Sequence, residues 1–531
     1  MFRWLIKKMQ SFLLNKTKVA SHPLCPAEDS LTTNLRRNLN KISELLAESP
    51  DLKIRKFTIN VSNKAWEAAI VFIDGLVNTN IIEDHILRPL MVDALRIKNE
   101  IQNPPRTISW IENHLLTVNS LAHNYTFDEV LSAVLAGDTV LLTEGLAEGL
   151  QISSKGWERR SVQEPDTEVT IKGAREGFIE NIRTNTALLR RKVGHPNLTF
   201  EGMMVGRKSK TNISLAYIRG LVNEELLKEV RRRIRRIDTD AVLDAGILEQ
   251  YIEDAPFSLF PTVNYTERPE IAAARILEGR VAVMIDGTPV VNTVPMLFFE
   301  SFQTADDYNF RWIFATTLRW VRFLAFMLTI IMPALYVALT TFHQEMIPTP
   351  LLISMAAAEE GIPFPAAFEV LIMGIIFEIL REAGIRLPRP VGSAVNIVGA
   401  LVIGDTAVNA GIVGAPVVIV VALTAISSFV IPFQVESVTL IRLGFVMLAG
   451  IFGLYGIVYG LLLILIHLAS LSSFGTPYLS PLAPWGLTDL KDTVFRAPFW
   501  MLFTRPKSLE PRDSLRQSAG LAPESPDPGK G

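Results

Sequence analysis

PVGSAVNIVGALVIGDTAVNAGIVGAPVVIVVALTAISSFVIPFQV occupies residues 390–435 and contains a single charged residue, Asp405. An apolar run of this length is typical of protein that lies within a membrane. Glycine and proline interrupt it at Gly392, Gly399, Gly404, Gly411, Gly414 and Pro416. Broken backbone is tolerated at membrane depth only inside protein or beside water. We therefore interpret the stretch as a re-entrant or broken segment followed by a span.

Asp405 is the candidate functional residue of this stretch. An ionisable side chain at membrane depth costs about 2.5–3.5 kcal/mol on insertion scales, so it usually marks an ion path or a paired site. The polar residues Asn396 and Asn409 flank it. Several copies of the segment around a ring would bring carboxylates together, as cation pores do. We expect it to line a conduction path that Val408 or Val413 narrows; the alternative is a capping or core-bonded Asp405.

The first predicted span covers residues 323–342, twenty uncharged residues and roughly 30 Å of helix. Arg311, Arg319 and Arg322 precede it, whereas the following loop contains glutamates and no lysine or arginine. Because positive charge favours the cytoplasmic side, the preceding part of the chain is predicted to be cytoplasmic and the loop to lie outside.

The uneven distribution of lysine and arginine also orients the remaining predicted spans. A second span is predicted at 363–380, before a cluster of arginines, and a last span at 443–468, before a basic tail. Both termini are then inside, which requires an even number of crossings. The simplest solution is a re-entrant piece at 391–411 and a span at 412–433. This gives about four spans and one re-entrant segment.

Two carboxylates lie within the second predicted span. Glu369 and Glu378 are nine residues apart, about 13.5 Å along a helix, and so lie on different faces. Each is close to one end of the span. The simplest interpretation is an interfacial position for both side chains.

The N-terminal half has an α/β pattern with an internal repeat. IVFIDGLVN at 70–78 matches LAYIRGLVN at 215–223, and an acidic, partly apolar helix follows each segment. The repeat predicts two related lobes. Further strands are expected at 139–145 and at 168–172, and a hairpin at 281–294, where turn residues separate two apolar runs. The fold class is therefore an α/β cytoplasmic domain of two related lobes plus an α-helical polytopic membrane domain.

These patterns divide the chain into five parts. We expect a leader and linker at 1–50, the two-lobed domain at 51–255 and a hairpin-containing segment at 256–310. The membrane domain follows at 311–470 and a cytoplasmic tail at 471–531. The tail is rich in proline, serine and charge after Arg505, which is typical of disorder.

Composition excludes several classes of function. Fifty-two basic against 54 acidic residues give a net charge of −2, which offers no reason to expect nucleic acid as a partner. The basic end of the helix at 224–237 is interpreted as a solvated face. The single cysteine, Cys25, excludes an intramolecular disulfide, and the seven scattered histidines indicate no metal site. No P-loop, GxGxxG, nucleophile elbow or HExxH motif is present, so neither an enzyme nor a cofactor is expected.

Taken together, the motifs resemble one family over residues 51–505. The chain is similar to the A subunits of GerA-type nutrient germinant receptors of endospore-forming bacteria. The matching segments are IDGLVN at 73–78, GWERRSVQEPDTEVTIKGAREGF at 156–178, RTNTALLRRK at 183–192, RRRIRRIDTDAVLDAGILEQYIED at 231–254, and the long run from IPTPLL to ALVIG at 347–404. It departs from the family pattern at Gly374 and Asp405, where relatives often carry Glu and Gln.

The resemblance implies a multi-pass protein of the spore inner membrane, with its N-terminal domain and C-terminal tail on the core side. It implies partnership with a multi-pass B subunit and a C lipoprotein, and homo-oligomerisation into a nutrient-gated channel that releases monovalent cations. Two alternatives remain open from the residues. A secondary transporter would also use broken helices, although no inverted repeat is visible. A membrane scaffold would use Asp405 as a buried hydrogen-bonding residue.

Overall fold

The computed structural model describes residues 30–61, 64–95, 105, 107–118, 120–156, 164–165, 168–386, 402–486, 489–518 and 520–523. The described chain forms two compact units. An α/β unit contains the described residues up to Asp254, residues 263–295 and the described residues from Pro498 onward. A helical unit contains residues 255–262 and the described residues between Met296 and Ala497.

The α/β unit contains two five-stranded antiparallel sheets. The first has the order β1-β2-β4-β5-β3, and the second has the order β6-β7-β9-β10-β8. The strands of the first are β1 Leu52–Val61, β2 Lys64–Ile73, β3 Leu121–Asn124, β4 Thr139–Thr143 and β5 Gly149–Ile152. Those of the second are β6 Leu198–Val205, β7 Thr211–Ile218, β8 Asn264–Thr266, β9 Val281–Ile285 and β10 Val291–Val294. Because β2 and β7 hold the same place in the two orders, the equivalence that the repeat predicts is confirmed.

Helices cover the two sheets. They are α1 Leu35–Leu45, α2 (Thr79–Ile81, continued by the π-helical Ile82–Leu87 and by Arg88–Met91), α3 Ile108–His114, α4 Phe127–Leu135, α5 Ile182–Lys192, α6 Glu224–Arg236, α7 Ala245–Ile252 and α8 Pro269–Leu277. Alternate side chains of β2 point to opposite faces of its sheet. Ala68 and Ile70 pack with α2 and α3, whereas Ala69 and Val71 pack with α1 and α4. Burial on both faces explains why this strand is apolar without alternation.

Several boundaries differ from the sequence-based prediction. Residues 168–172 form no strand; the Glu168 carboxylate instead accepts hydrogen bonds from Thr266 Oγ1 and the Glu267 amide. The predicted hairpin is present as β9 and β10, but it completes the second sheet, so this lobe extends beyond residue 255. Helix α1, within the predicted linker, packs into the first lobe.

The predicted onset of disorder after Arg505 is also wrong for the residues that the structure describes there. The Arg505 Nε donates to the Leu277 carbonyl over 2.9 Å, and the Arg512 amide donates to the Leu221 carbonyl over 3.0 Å. Leu509 is buried. Residues 505–518 therefore pack against the second lobe through backbone and side-chain hydrogen bonds.

Within the helical unit, a short 3₁₀ helix, Phe298–Phe302, is followed by a series of α-helices, all but the first of them apolar. These are α9 Asp306–Asn309, α10 Trp312–Thr341, α11 Thr349–Glu359, α12 Ala366–Arg386, α13 Ala415–Phe429, α14 Val435–Phe452 and α15 Leu454–Ser470, with residues 402–409 also helical. Trp312–Thr341 and Pro432–Phe452 are long and apolar enough to cross a membrane, and Ala415–Phe429 and Leu454–Ser470 are apolar but shorter.

The last predicted span, 443–468, is wrong as a single helix. Gly453 separates α14 from α15 with a φ of +59°, a conformation that glycine adopts readily. Farther along, a Cβ on Gly460 would lie 2.8 Å from the Phe445 ring. A Cβ on Gly456 would also collide with the Leu448 carbonyl, so the two helices form a close antiparallel hairpin whose backbones approach at Gly456.

The stretch around Asp405 also differs from its prediction. Residues 402–409 are helical within the stretch interpreted as re-entrant or broken. The predicted re-entrant piece 391–411 otherwise lies mostly outside the described residues. The break comes later, where Gly411 has a φ of +64°, and α13 is shorter than the predicted span 412–433.

Candidate functional site in the helical unit

The helical residues 402–409 present one polar, exposed face. Val402, Asp405, Thr406 and Asn409 are all exposed. Their spacing of three, four and seven residues places them along one side of a helix. We call these four residues the 402–409 stripe. It carries one carboxylate, one hydroxyl and one amide in an otherwise apolar stretch.

The opposite face of the same helix is fixed to the unit. A Cβ on Gly404 would lie 3.6 Å from Val418 Cγ1 of α13. Ala407 and Val408 pack against the hydrophobic core of the helical unit. One face therefore anchors the helix while the stripe remains open to whatever surrounds this chain.

Glu369 holds the turn that follows this helix. Its side chain is 2% exposed, and its Oε2 accepts a hydrogen bond of 2.7 Å from the Gly414 amide. Gly414 is the residue that precedes α13 and has no side chain with which to cap it. A carboxylate at a helix N-terminus satisfies a free amide and interacts favourably with the helix dipole. Glu369 thus caps α13 from α12.

A second carboxylate lies at the same turn. The Tyr336 hydroxyl of α10 donates to Glu359 Oε1 over 2.7 Å. A Cβ on Gly414 would lie 3.6 Å from Glu359 Cγ and 3.4 Å from Ile362 Cδ1. Helices α10, α11, α12 and α13 therefore meet around Gly414, so the position of the turn after the stripe is determined by several elements.

Glu378 forms an ion pair at the other end of α12. Its Oε1 lies 2.8 Å from Arg442 Nη2 of α14, and its Oε2 contacts Arg381 at 2.5 Å. Arg442 is 6% exposed. A charge that is removed from water requires a partner, and this pair supplies one to each side chain. It therefore joins α12 to α14.

The structure separates the predicted site residues into three groups. Asp405 and Asn409 are exposed on the stripe, and Val408 is half-buried beside it. Val413 is 1% exposed and belongs to the hydrophobic core, so it does not face an open path in this chain. Asn396 lies outside the described residues.

Glu369 and Glu378 form the third group, since both lie away from the stripe and have protein partners. Both are hydrogen-bonded to protein groups, and their interfacial positions stay predictions. Tyr336, Glu359 and Arg442 were missed as polar members of the unit. A charge next to the last apolar run could have pointed to Arg442, whereas nothing in the local sequence indicates the other two.

The stripe offers an exposed negative charge rather than a set of catalytic side chains. Among the described residues, no group of three or more His, Cys, Asp or Glu side chains is placed to hold a metal ion. Asp405 is an exposed carboxylate on a rigidly held helix. Such a group can attract cations, but the stripe holds no second acid or base beside it to activate the Thr406 hydroxyl.

Comparison with known proteins places these features in context. The family described as Bacillus/Clostridium GerA spore germination protein matches residues 40–508. Spore germination protein KA of Bacillus subtilis is 43% identical over 93% of this chain and 90% of its own length. Spore germination protein GerLA of Bacillus cereus is 38% identical over 91% of this chain and 97% of its own.

Two further similarities concern a membrane protein and a solved domain. The uncharacterized membrane protein YfkQ of Bacillus subtilis is 41% identical over 93% of this chain and 95% of its own length. The crystal structure of the N-terminal domain of the A subunit of the Bacillus megaterium spore germinant receptor GerK3 is also similar. Its sequence is 35% identical to this chain in the matched region. That similarity covers 51% of this chain and 99% of the domain, with a TM-score of 0.41.

Proposed function

The chain belongs to the GerA family of spore germination proteins, and we propose that it is a germinant-receptor A subunit whose copies form a nutrient-gated cation channel. In this proposal it lies in the inner membrane of the spore and acts with a multi-pass B subunit and a C lipoprotein. Opening of the channel releases monovalent cations at the start of germination. The observation that carries the channel proposal is the exposed polar stripe on a helix whose other face is anchored.

Electrostatics supports the placement of the stripe along the conduction path. An exposed carboxylate in contact with lipid would be costly at membrane depth. Copies of the chain arranged in a ring, with the stripe facing the axis, would keep Asp405 in water. They would also place carboxylates around a shared path, which favours cations over anions. In this arrangement Val402 and the half-buried Val408 are the apolar residues next to the path.

The contacts within the helical unit support a specific topology. Gly453 lies against Phe342 at the end of α10, and Gly414 lies against Glu369 at the start of α12. Thr439 and Phe429 lie near the other end of α12, beside Glu378 and Phe377 respectively. We infer that α10 and α14 run outward and α12, α13 and α15 run inward, with the helical residues 402–409 directed outward toward the turn at Gly411. An even number of crossings keeps both termini inside.

Cysteine labelling tests this topology against the single last span predicted from sequence. Cysteines at Glu359, Tyr455 and Ser514, each in a Cys25→Ser background, are exposed to an impermeant thiol reagent on intact cells. We expect labelling at Glu359 and Tyr455, because both lie at outer turns, and none at Ser514. Labelling at Ser514, or protection of Tyr455 at mid-membrane depth, would contradict the topology.

The channel proposal is tested with Asp405→Asn. This change removes the charge and nearly preserves the shape, so assembly with the partner subunits is expected to remain normal. Potassium efflux from liposomes that contain the reconstituted receptor should decrease, and the preference for cations over anions should weaken.

Glu382→Gln is the matched control, since it removes an exposed carboxylate of the same unit that pairs with Arg386. Its efflux should equal that of the unchanged protein. If Asp405→Asn assembles normally and conducts with unchanged rate and selectivity, Asp405 is not a pore charge. The scaffold alternative then gains support.

A further inference from the structure

An apolar crevice lies in the helical unit between the first turns of α10 and the segment that follows α15. We call that segment, described at 478–486 and 489–497, the collar. The crevice has a volume of about 200 Å³. Its apolar walls are Phe299, Phe302, Trp320, Phe323, Leu482 and Val494. Aromatic rings thus supply most of its surface.

The two polar side chains at its wall are engaged elsewhere. Arg319 donates through Nε to Asp307 and through Nη2 to Asp492, each over 3.0 Å. The Thr493 hydroxyl donates to the Asp489 carbonyl over 2.8 Å. A polar ligand in the crevice would lose its hydration without gaining hydrogen bonds, which is costly. Its occupant should therefore be hydrocarbon.

The crevice lies at the level where α10 changes from charged to apolar sequence. Trp320 is 50% exposed, and its ring centroid is 6.1 Å from that of Phe495, which is also exposed. Trp485 of the collar is 67% exposed. Exposed tryptophan and other aromatic rings at the end of an apolar helix are typical of a membrane–water interface.

The outer edge of the crevice is continuous with the apolar flank of α10. Trp320 and Leu482 line the crevice and are also exposed at the surface, and Leu324 follows one turn beyond Trp320. A cavity of this size is below the roughly 300–1,000 Å³ of pockets that enclose whole small molecules. It can hold part of a flexible chain that enters from the side.

We propose that this crevice binds the acyl chain of a lipid of the inner leaflet, at the contact between α10 and the collar. The inference rests on the proposed membrane topology, which places the start of α10 at the cytoplasmic surface. The chain end comes from the hydrocarbon of the bilayer, contacts the phenylalanine rings and keeps water away from the apolar walls of the crevice. The bound lipid would thereby hold the collar against α10.

Photolabelling of the full-length protein tests the proposal. The protein is reconstituted with phosphatidylethanolamine that carries a diazirine at the end of one acyl chain, irradiated, and analysed by mass spectrometry. Phe302 is 4% exposed and cannot be reached from the outer surface of the helices. We expect labelling at Phe302 as well as at the exposed Leu324 and Leu465.

Filling the crevice supplies the matched comparison. Val494→Trp should reduce labelling at Phe302 several-fold and leave Leu324 unchanged, whereas Val458→Trp, on the exposed side of α15, should change neither. Leu482→Phe, which narrows the outer edge, is the second variant if Val494→Trp does not fold.

Three results would overturn the acyl-chain proposal or its premise. If Leu324 and Leu465 are labelled but Phe302 is not, the crevice binds no acyl chain and the topology is unaffected. Labelling of Phe302 that persists in a folded crevice-filling variant also overturns the proposal. If none of the three residues is labelled, the proposed membrane embedding fails as well.

Discussion

The carboxylates of α12 and the carboxylate at position 405 belong to the same helical unit, but their surroundings differ. Glu369 and Glu378 are bonded to protein groups, one at the start of α13 and the other on α14. Asp405 is exposed on a helix whose opposite face is packed. A charged residue in an apolar sequence can therefore have one of two roles. Charges that are paired with protein groups hold the helices of the unit together. An exposed charge remains available to the solvent or to ions.

This comparison predicts opposite responses to mutation. Loss of a partnered charge should destabilise the unit, because the remaining group loses part of its compensation inside the protein. Changes on the 402–409 stripe should leave stability unchanged and affect conduction. The variants below are ordered from the largest expected effect on stability to the smallest.

Among the changes at polar positions, Arg442→Met should have the largest effect. It leaves the half-buried Glu378 with Arg381 as its remaining ion-pair partner, so the cost should lie at the lower end of the about 3–5 kcal/mol for a broken buried pair. We expect a large decrease in the thermal unfolding midpoint in detergent, or loss of monodisperse protein in size-exclusion chromatography.

Arg386→Met is the control for this change, because it removes an arginine from an exposed pair with Glu382 that contributes no more than about 1 kcal/mol. The double variant Glu378→Met with Arg442→Met should recover much of the stability. Equal unfolding midpoints for Arg442→Met and Arg386→Met would show that the α12–α14 ion pair does not stabilise the helical unit.

Glu369→Ala should have an intermediate effect. It removes the acceptor for the Gly414 amide, and a hydrogen bond to a charged group contributes about 1.5–3 kcal/mol. Glu369→Gln keeps an acceptor oxygen and loses only the interaction with the helix dipole, about 0.3–1 kcal/mol. Thermal unfolding should therefore rank the unchanged protein above Gln and Gln above Ala. A Gln variant as unstable as Ala would mean that charge, rather than the cap, is what the site requires.

Asn409→Asp should have the smallest effect on stability. It adds a second carboxylate to the exposed stripe, one helical turn from Asp405, where water can solvate it. We expect an unchanged unfolding midpoint and a stronger preference for cations in reconstituted liposomes. Val413→Asp is the contrasting variant, since Val413 is buried and a charge there should prevent folding. If the two variants unfold alike, the stripe is not exposed in the assembled protein.

Sequence alone could predict the features that depend on local pattern. The repeat around Ile70 and Leu215 predicted the two lobes, because similar strand sequences require similar neighbours. The turn residues 286–289 gave the hairpin of β9 and β10. Asp405 could be selected because it is the lone charge in its stretch. Each of these depends on residues that are adjacent in sequence.

The remaining features depend on contacts between distant residues. Gly414 is 45 residues from Glu369, and Arg442 is 64 residues from Glu378, so neither pair leaves a local signal. Glycine was also misleading near Asp405. Glycine costs a helix about 1 kcal/mol relative to alanine, but at Gly404 close packing against Val418 accompanies helix formation.

The glycine pattern of the last apolar run could have indicated the break at Gly453. Glycines at 450, 453, 456 and 460 interrupt the last apolar run in the same way as those near Asp405. Composition alone could not decide which glycine turns the chain and which lets two helices approach. In the structure, Gly453 has the positive φ, whereas Gly456 and Gly460 lie against the neighbouring helix.

Cysteine accessibility along residues 402–409 tests the central claim most directly. Single cysteines in a Cys25→Ser background are treated with a positively charged methanethiosulfonate reagent during nutrient-triggered potassium efflux. We expect block at Val402, Asp405, Thr406 and Asn409, and none at the packed positions Gly404 and Ala407. Block with this helical period would place the stripe on the conduction path. Efflux that is insensitive to the reagent at all four stripe positions, or block confined to the packed positions, would contradict the account.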